Sequence, residues 1–217
     1  MAEHMTDEEQ LQILKNWWKQ NGTSLVAIVA LVLAGYFGWQ WWNNYQQRYA
    51  EEASSLYIEL SELLATEADI DSLSDDKRST VSFLIEQLQN DYGRTLYAAN
   101  ASLLAAKLAV AADDLSTAEE ELLKAADHDV IKPLANLRLA RVYFAQGKLD
   151  EALATANYES DDEFTGLYAV VRGDVLVAKG DTTGAKAAYE QALATLPKDN
   201  SSSRRLVTTK LANLGGA

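Results

Sequence analysis

The chain has 217 residues, 19 Lys and Arg against 32 Asp and Glu, no Cys, and a formal net charge of −13. That length suits one ordinary domain plus an anchor. So negative a surface argues against a nucleic-acid partner, and the missing Cys excludes disulfides, thiolate metal sites and cysteine nucleophiles. Pro occurs only at Pro133 and Pro197 in a sequence rich in Ala and Leu, a balance that suits helices joined by short turns.

Thr6 and Glu9 form a capping-box pattern. Leu11, Leu14, Trp17 and Trp18 then recur at helical spacing, and Asn21-Gly22 is a stop signal. Within the N-terminal segment 1–23 this predicts a short amphipathic helix over 7–20 lying on a membrane surface, so that lipid is itself a partner. The alternative is a poorly ordered tail.

Leu25 to Trp42 reads LVAIVALVLAGYFGWQWW, with Gln40 its one strongly polar residue and no charge between Lys19 and Arg48. As a helix those residues span ~27 Å, close to the hydrocarbon thickness of a bilayer. The pattern predicts a transmembrane helix over 24–44. Tyr36, Phe37, Trp39, Trp41, Trp42 and Tyr45 crowd one end, where an aromatic belt belongs. A cleaved signal peptide fits poorly, because the start is acidic (Asp7, Glu8, Glu9) and bulky Trp follows the apolar run. A buried core helix fits poorly too, since the run is hydrophobic on every face. Lys15 and Lys19 before the span, against Arg48 after it, favour a cytoplasmic N-terminus and a C-terminal domain on the far side. Ala30, Ala34 and Gly38, at i, i+4 and i+8, form a small-residue stripe suited to close packing of another transmembrane helix.

From Tyr45 onward there are 17 basic and 28 acidic residues, so this part alone carries −11. Asn43 to about Thr66 extends the anchor helix through Leu56, Leu60, Leu63 and Leu64, and Asp69 to Asp76 forms a loop. A helix near Ser79–Asn90 carries Val81, Leu84, Ile85 and Leu88, and Tyr92-Gly93 ends it. A period then appears. Ala106, Ala140 and Gly173 fall 34 and 33 apart, as do Ala118, Ala152 and Ala185, and the turn residues Asp113, Gly147 and Gly180 keep the same step. Each unit is a helix, a tight turn and a second helix, with small residues where the pair crosses. This is the tetratricopeptide pattern. Tyr189, Ala192 and Pro197 complete the last unit, and Leu139 and Tyr143 support the middle one. The tail from Ser201 to about Asn213, with Val207, Leu211 and Leu214 on one face, predicts a capping helix. The fold expectation is all-α: a single N-terminal transmembrane helix, then a tetratricopeptide-like repeat domain over 45–217.

No catalytic constellation appears. His4 and His128 lack metal-ligand spacing, and His128, between Asp127 and Asp129, is expected in a solvated turn. Phosphate-loop, Gly-x-Ser-x-Gly and zincin motifs do not occur. The pairs Asp113-Asp114 and Asp161-Asp162 are expected as helix caps and turns. The chain is expected to be a binding module without enzymatic activity, cofactor or metal.

If the first helix of each unit lines the concave face, that face carries Leu103, Lys107 and Val110, then Leu134, Leu137, Arg141 and Phe144, then Leu167, Val171, Asp174 and Val177. With Lys107 and Arg141 as its cations, it suits an amphipathic or extended apolar segment better than a charged tail. The competing expectation is a filled groove, occupied by the helix near 79–90 or by the C-terminal cap.

The chain resembles the YfgM family, the ancillary subunit of the bacterial SecYEG translocon. The resemblance rests on the acidic N-terminus, the LKNWWKQNGTSL approach to the span, the GYFGWQWWN exit, and the repeat stretches ANLRLARVYFAQGKLDEALATA and RGDVLVAKGDTTGAKAAYEQAL. It implies one inner-membrane span, a periplasmic repeat domain, association with the SecYEG translocon and with a periplasmic chaperone of PpiD type, and a part in handing newly exported proteins to chaperones. A membrane-tethered repeat protein that sequesters a stress-response regulator is the alternative role.

Overall fold

The computed structural model describes residues 7–65, 74–158 and 164–215. Thr6, His4, most of the 69–76 loop and the Asp161-Asp162 pair lie outside them. The described residues form nine α-helices and no strand. The helices are α1 Asp7–Ala65, α2 Asp75–Tyr92, α3 Leu96–Ala111, α4 Leu115–Ala126, α5 Lys132–Ala145, α6 Leu149–Ala156, α7 Thr165–Ala178, α8 Thr182–Thr195 and α9 Ser201–Leu214. The chain divides into two compact units, Met1–Glu51 and Glu52–Ala217.

The first unit is the N-terminal part of α1, which contains a stretch long and apolar enough to cross a membrane. The stop expected at Asn21-Gly22 is absent, and α1 runs through it without a break. Asn21 turns its amide back to donate to the Trp17 carbonyl at 3.2 Å instead of capping a helix end. The Trp18 ring lies over Gly22, 3.1 Å from where a Cβ would stand, and covers backbone that glycine would otherwise leave open. The strong helix formers on both sides outweigh the local cost of one Gly, about 1 kcal/mol. At the C-terminal end of the apolar stretch aromatic side chains stack along the helix, Trp41 on Tyr45 at 6.0 Å and Tyr45 on Tyr49 at 6.2 Å.

In the second unit the end of α1 packs against α2 and α3. Ala53 and Leu60 meet Val81, Leu84, Ile85 and Leu88, with Ala101 of α3 completing the cluster. Three helical hairpins follow, α3/α4, α5/α6 and α7/α8. Their turns are built alike. Asp113, Gly147 and Gly180 adopt φ of 59°, 76° and 80°, the left-handed conformation that closes a helix in a Schellman motif. The 6→1 bonds run from Asp114, Lys148 and Asp181 N–H to the carbonyls of Ala109, Tyr143 and Leu176, each at 2.9 Å. The 5→2 bonds run from Asp113, Gly147 and Gly180 N–H to Val110, Phe144 and Val177 at 3.0–3.1 Å. Asp114 and Asp181 then cap the next helix, each carboxylate accepting from a backbone N–H three residues on.

The small residues stand at the crossings. Ala106, Ala140, Ala118, Ala152 and Ala185 are at most 2% exposed, and Gly173 is buried against Tyr189. Between them lie Leu122, Leu139 and Val142 in the first hairpin contact, and Leu137, Tyr168, Val171 and Val175 in the second. Tyr168 Oη donates to the Pro133 carbonyl at 2.6 Å and so ties α7 to the start of α5. The helix α9 closes the stack, its Val207 fully buried with Ala169, Tyr189 and Leu196.

Candidate functional site

The residues expected on the concave face fall into three rows, with Leu134 and Leu167 at the start of their helices beside them, because each helix turns 100° per residue. Leu103, Leu137 and Val171 are 5%, 2% and 4% exposed. They belong to the core rather than to an open face, a correction that follows from their place beside the crossings, Leu103 and Leu137 one turn before Ala106 and Ala140 and Val171 two residues before Gly173. Leu134 and Leu167 are partly buried against the same clusters. Val110, Phe144 and Val177 are exposed at 47%, 37% and 43%. All three sit at the last turn of a first helix, where the Schellman closure fixes their backbone. They repeat at the 34- and 33-residue step.

The third row is Lys107, Arg141 and Asp174. Asp174 is occupied by the capping helix, accepting from Lys210 Nζ at 2.5 and 2.6 Å and from Tyr189 Oη at 2.6 Å. Burial and this carboxylate push the Tyr189 hydroxyl pKa up. At the third hairpin, then, α9 takes up part of the face. At the first two it stays open. Lys107 and Val110 of α3 and Arg141 of α5 line a recess of about 370 Å³ whose walls include the buried Leu122 and Val142. The helix near 79–90, α2, does not fill it. It packs through Val81, Leu84, Ile85 and Leu88 beside Ala101, Leu104 and Leu108.

Arg138 also lines this recess. Sequence reasoning passed over it, although it stands three residues before Arg141 and therefore on the same face. It is partly buried. Loss of water and the like charge of Arg141 lower its pKa.

A second, polar recess of about 500 Å³ lies among α2, α3 and α4. Gln89 Nε2 donates to Ser102 Oγ at 2.8 Å and to Glu121 Oε2 at 2.5 Å, and Lys124 Nζ meets Glu121 Oε1 at 2.6 Å. Glu121 is thus buried with its charge satisfied. His128, expected in a solvated turn, is partly buried here, and its Nδ1 has no hydrogen-bond partner. The helical hairpins make two further ion pairs, Lys148–Glu119 at 2.7 Å and Lys179–Asp150. Among the described residues no cluster of His, Asp and Glu is arranged to hold a metal.

On the long helix, Ala30, Ala34 and Gly38 share one exposed face. A Cβ added at Gly38 would meet nothing within 4 Å.

Residues 15–216 match the tetratricopeptide repeat-like domain family. The chain is 35% identical over 195 residues to an ancillary SecYEG translocon subunit of Haemophilus influenzae, covering 88% of this chain and 91% of that protein. It is 30% identical over 217 residues to the protein of that name from Neisseria gonorrhoeae, 99% and 100% covered. It is 30% identical over 193 residues to the one from Escherichia coli, 88% of each. From the long apolar helix through the capping helix, the chain belongs to the tetratricopeptide repeat-like family of ancillary SecYEG translocon subunits.

Proposed function

We propose that this chain is a non-catalytic scaffold of the bacterial inner membrane that associates with the SecYEG translocon and presents its repeat domain to a periplasmic chaperone of PpiD type. The observation that carries the reading is the length of the likeness. It runs through helix and repeats alike in relatives named as ancillary translocon subunits, so anchor and domain belong to one working unit. In this reading residues 1–23 lie on the cytoplasmic side with their amphipathic turns against lipid, 24–44 cross the bilayer, and 45–217 are periplasmic. Lys15 and Lys19 support that orientation. The Ala30, Ala34 and Gly38 stripe offers the channel a close-packing face. Val110, Phe144 and Val177, exposed at matching positions of three helices, offer the chaperone an apolar one.

Protease added to spheroplasts tests the topology. The reading expects digestion of the domain beyond Tyr45 while the N-terminal segment is protected. Complete protection of the domain there, with digestion in inverted vesicles, would overturn it.

A further inference from the structure

Three cations meet at the recess between α3 and α5. Lys107 comes from α3, and Arg138 and Arg141 come from successive turns of α5. The ion pairs of the described residues join Lys124 to Glu121, Lys148 to Glu119, Lys179 to Asp150 and Lys210 to Asp174, and none reaches these three. Nor does any side-chain hydrogen bond of the described residues end on them. Their surroundings are acidic. The part of the chain beyond the span holds 28 acidic residues and only 17 basic ones.

Two like charges one helical turn apart repel even in water. Arg138 is partly withdrawn from solvent as well, and its depressed pKa records both costs. An unpaired, desolvated guanidinium beside another is a poor use of charge in a free domain. It becomes a favourable one when a carboxylate arrives, because Arg presents paired donors that match a carboxylate's two oxygens. Between the cations the recess is apolar, walled by Ala106, Val110, Leu122 and Val142. Its volume of about 370 Å³ lies at the small end of ligand sites, which run from roughly 300 to 1,000 Å³. It suits a few side chains rather than a whole domain.

We propose that the recess between α3 and α5 is a docking site for an acidic, amphipathic peptide segment of a partner protein, which seats apolar side chains against Val110 and Leu122 and places carboxylates on Lys107, Arg138 and Arg141. This rests on the reading of the repeat face as a docking surface and adds the chemistry of its ligand. It also revises the expectation that the face lacks the cations to select a charged segment. Selectivity here runs against the net charge of the molecule. Long-range attraction favours basic peptides, so a preference for acidic ones must come from this site.

The test uses the full chain in nanodiscs of zwitterionic lipid and two fluorescent peptides. In one, Leu recurs every third or fourth position among Glu; in the other, each Glu is replaced by Lys. Fluorescence anisotropy should show the Glu peptide binding at least about tenfold more tightly than the Lys peptide. Arg138→Gln with Arg141→Gln should remove about tenfold of that affinity. Lys107→Glu, at an exposed position that leaves packing untouched, should do the same, and circular dichroism checks that each variant is folded. Equal binding of both peptides, no binding of the Glu peptide, or variants that bind as the wild type does would overturn the proposal. So would concentration-dependent self-association abolished by Arg138→Gln, which would make the recess an interface between copies. Translocon association is read separately by co-purification, so either idea can fail while the other stands.

Discussion

Gly173 is the position where a single methyl group should do the most damage. It lies inside α7, where Gly→Ala ordinarily stabilises a helix by about 0.5–1 kcal/mol. A Cβ built there, however, stands 2.4 Å from Cε1 and 2.5 Å from Cδ1 of Tyr189. The ring has little room to yield. Tyr189 is 2% exposed, and its hydroxyl is held by Asp174 at 2.6 Å, which Lys210 holds in turn. Overpacking of this kind costs about 1–3 kcal/mol, so Gly173→Ala should lose about 0–2.5 kcal/mol after the helix-propensity gain is deducted. For a domain of this size each kcal/mol moves the midpoint by about 2–4 °C. The melt should be followed by far-UV circular dichroism of the full chain in mild detergent. All 5 Trp lie between Trp17 and Trp42, so fluorescence does not report the repeats. Gly38→Ala, where a Cβ meets nothing within 4 Å, is the matched control and should leave the domain's midpoint unchanged. Adding Tyr189→Leu should relieve the clash, so that Gly173→Ala costs less in that background than alone. A midpoint that rises for Gly173→Ala, as propensity by itself predicts, would refute the packing argument.

The other expectations concern the crossings, the open face and the caps. Ala140→Leu, at a fully buried crossing, should lower stability by about 1–3 kcal/mol in the same melt. Phe144→Glu should stay within about 0.5 kcal/mol of wild type, because the residue is 37% exposed, and should weaken capture of the proposed chaperone partner. Leu137→Glu, seven residues earlier and 2% exposed, should unfold the middle hairpin by burying an unpaired charge. Asp114, whose bonds from Ser116 and Thr117 hold its carboxyl pKa near 2, well below the usual 3.8, contributes stability that is complete above pH 4 and lost as pH falls toward 2. The gap in midpoint between wild type and Asp114→Asn should therefore shrink across that window, and a gap that stays constant would remove Asp114 from the acid response.

The repeats were legible because their signals are local and recur. A left-handed turn residue at Asp113, Gly147 and Gly180 and a small residue at each crossing are demanded by backbone conformation and axis separation, which few residue types satisfy. The break at Asn21-Gly22 was misread because a stop signal is a modest free-energy bias, and the apolar helix on one side and the amphipathic turns on the other outweigh it. The face was legible by row only in part. Spacing places Leu103, Leu137 and Val171 near Val110, Phe144 and Val177, but whether a position lies inside or outside depends on the neighbouring hairpin, which no single helix encodes. The same holds for Asp174, whose partner Lys210 is 36 residues away, and for the buried Glu121, satisfied by Gln89 across 32 residues. Arg138 was in plain view three residues from Arg141. Its meaning emerged only with the recess it shares with Lys107 and Arg141, where no ion pair of the described residues reaches it.

Purification of the full chain from membranes in mild detergent, with mass spectrometry of whatever accompanies it, tests the central claim most directly. The account predicts that subunits of the SecYEG channel are recovered with the wild type and fall away when Ala34→Leu and Gly38→Leu obstruct the small-residue face of an otherwise correctly inserted span. Recovery of the chain without channel subunits, under conditions that keep the channel itself intact, would contradict it.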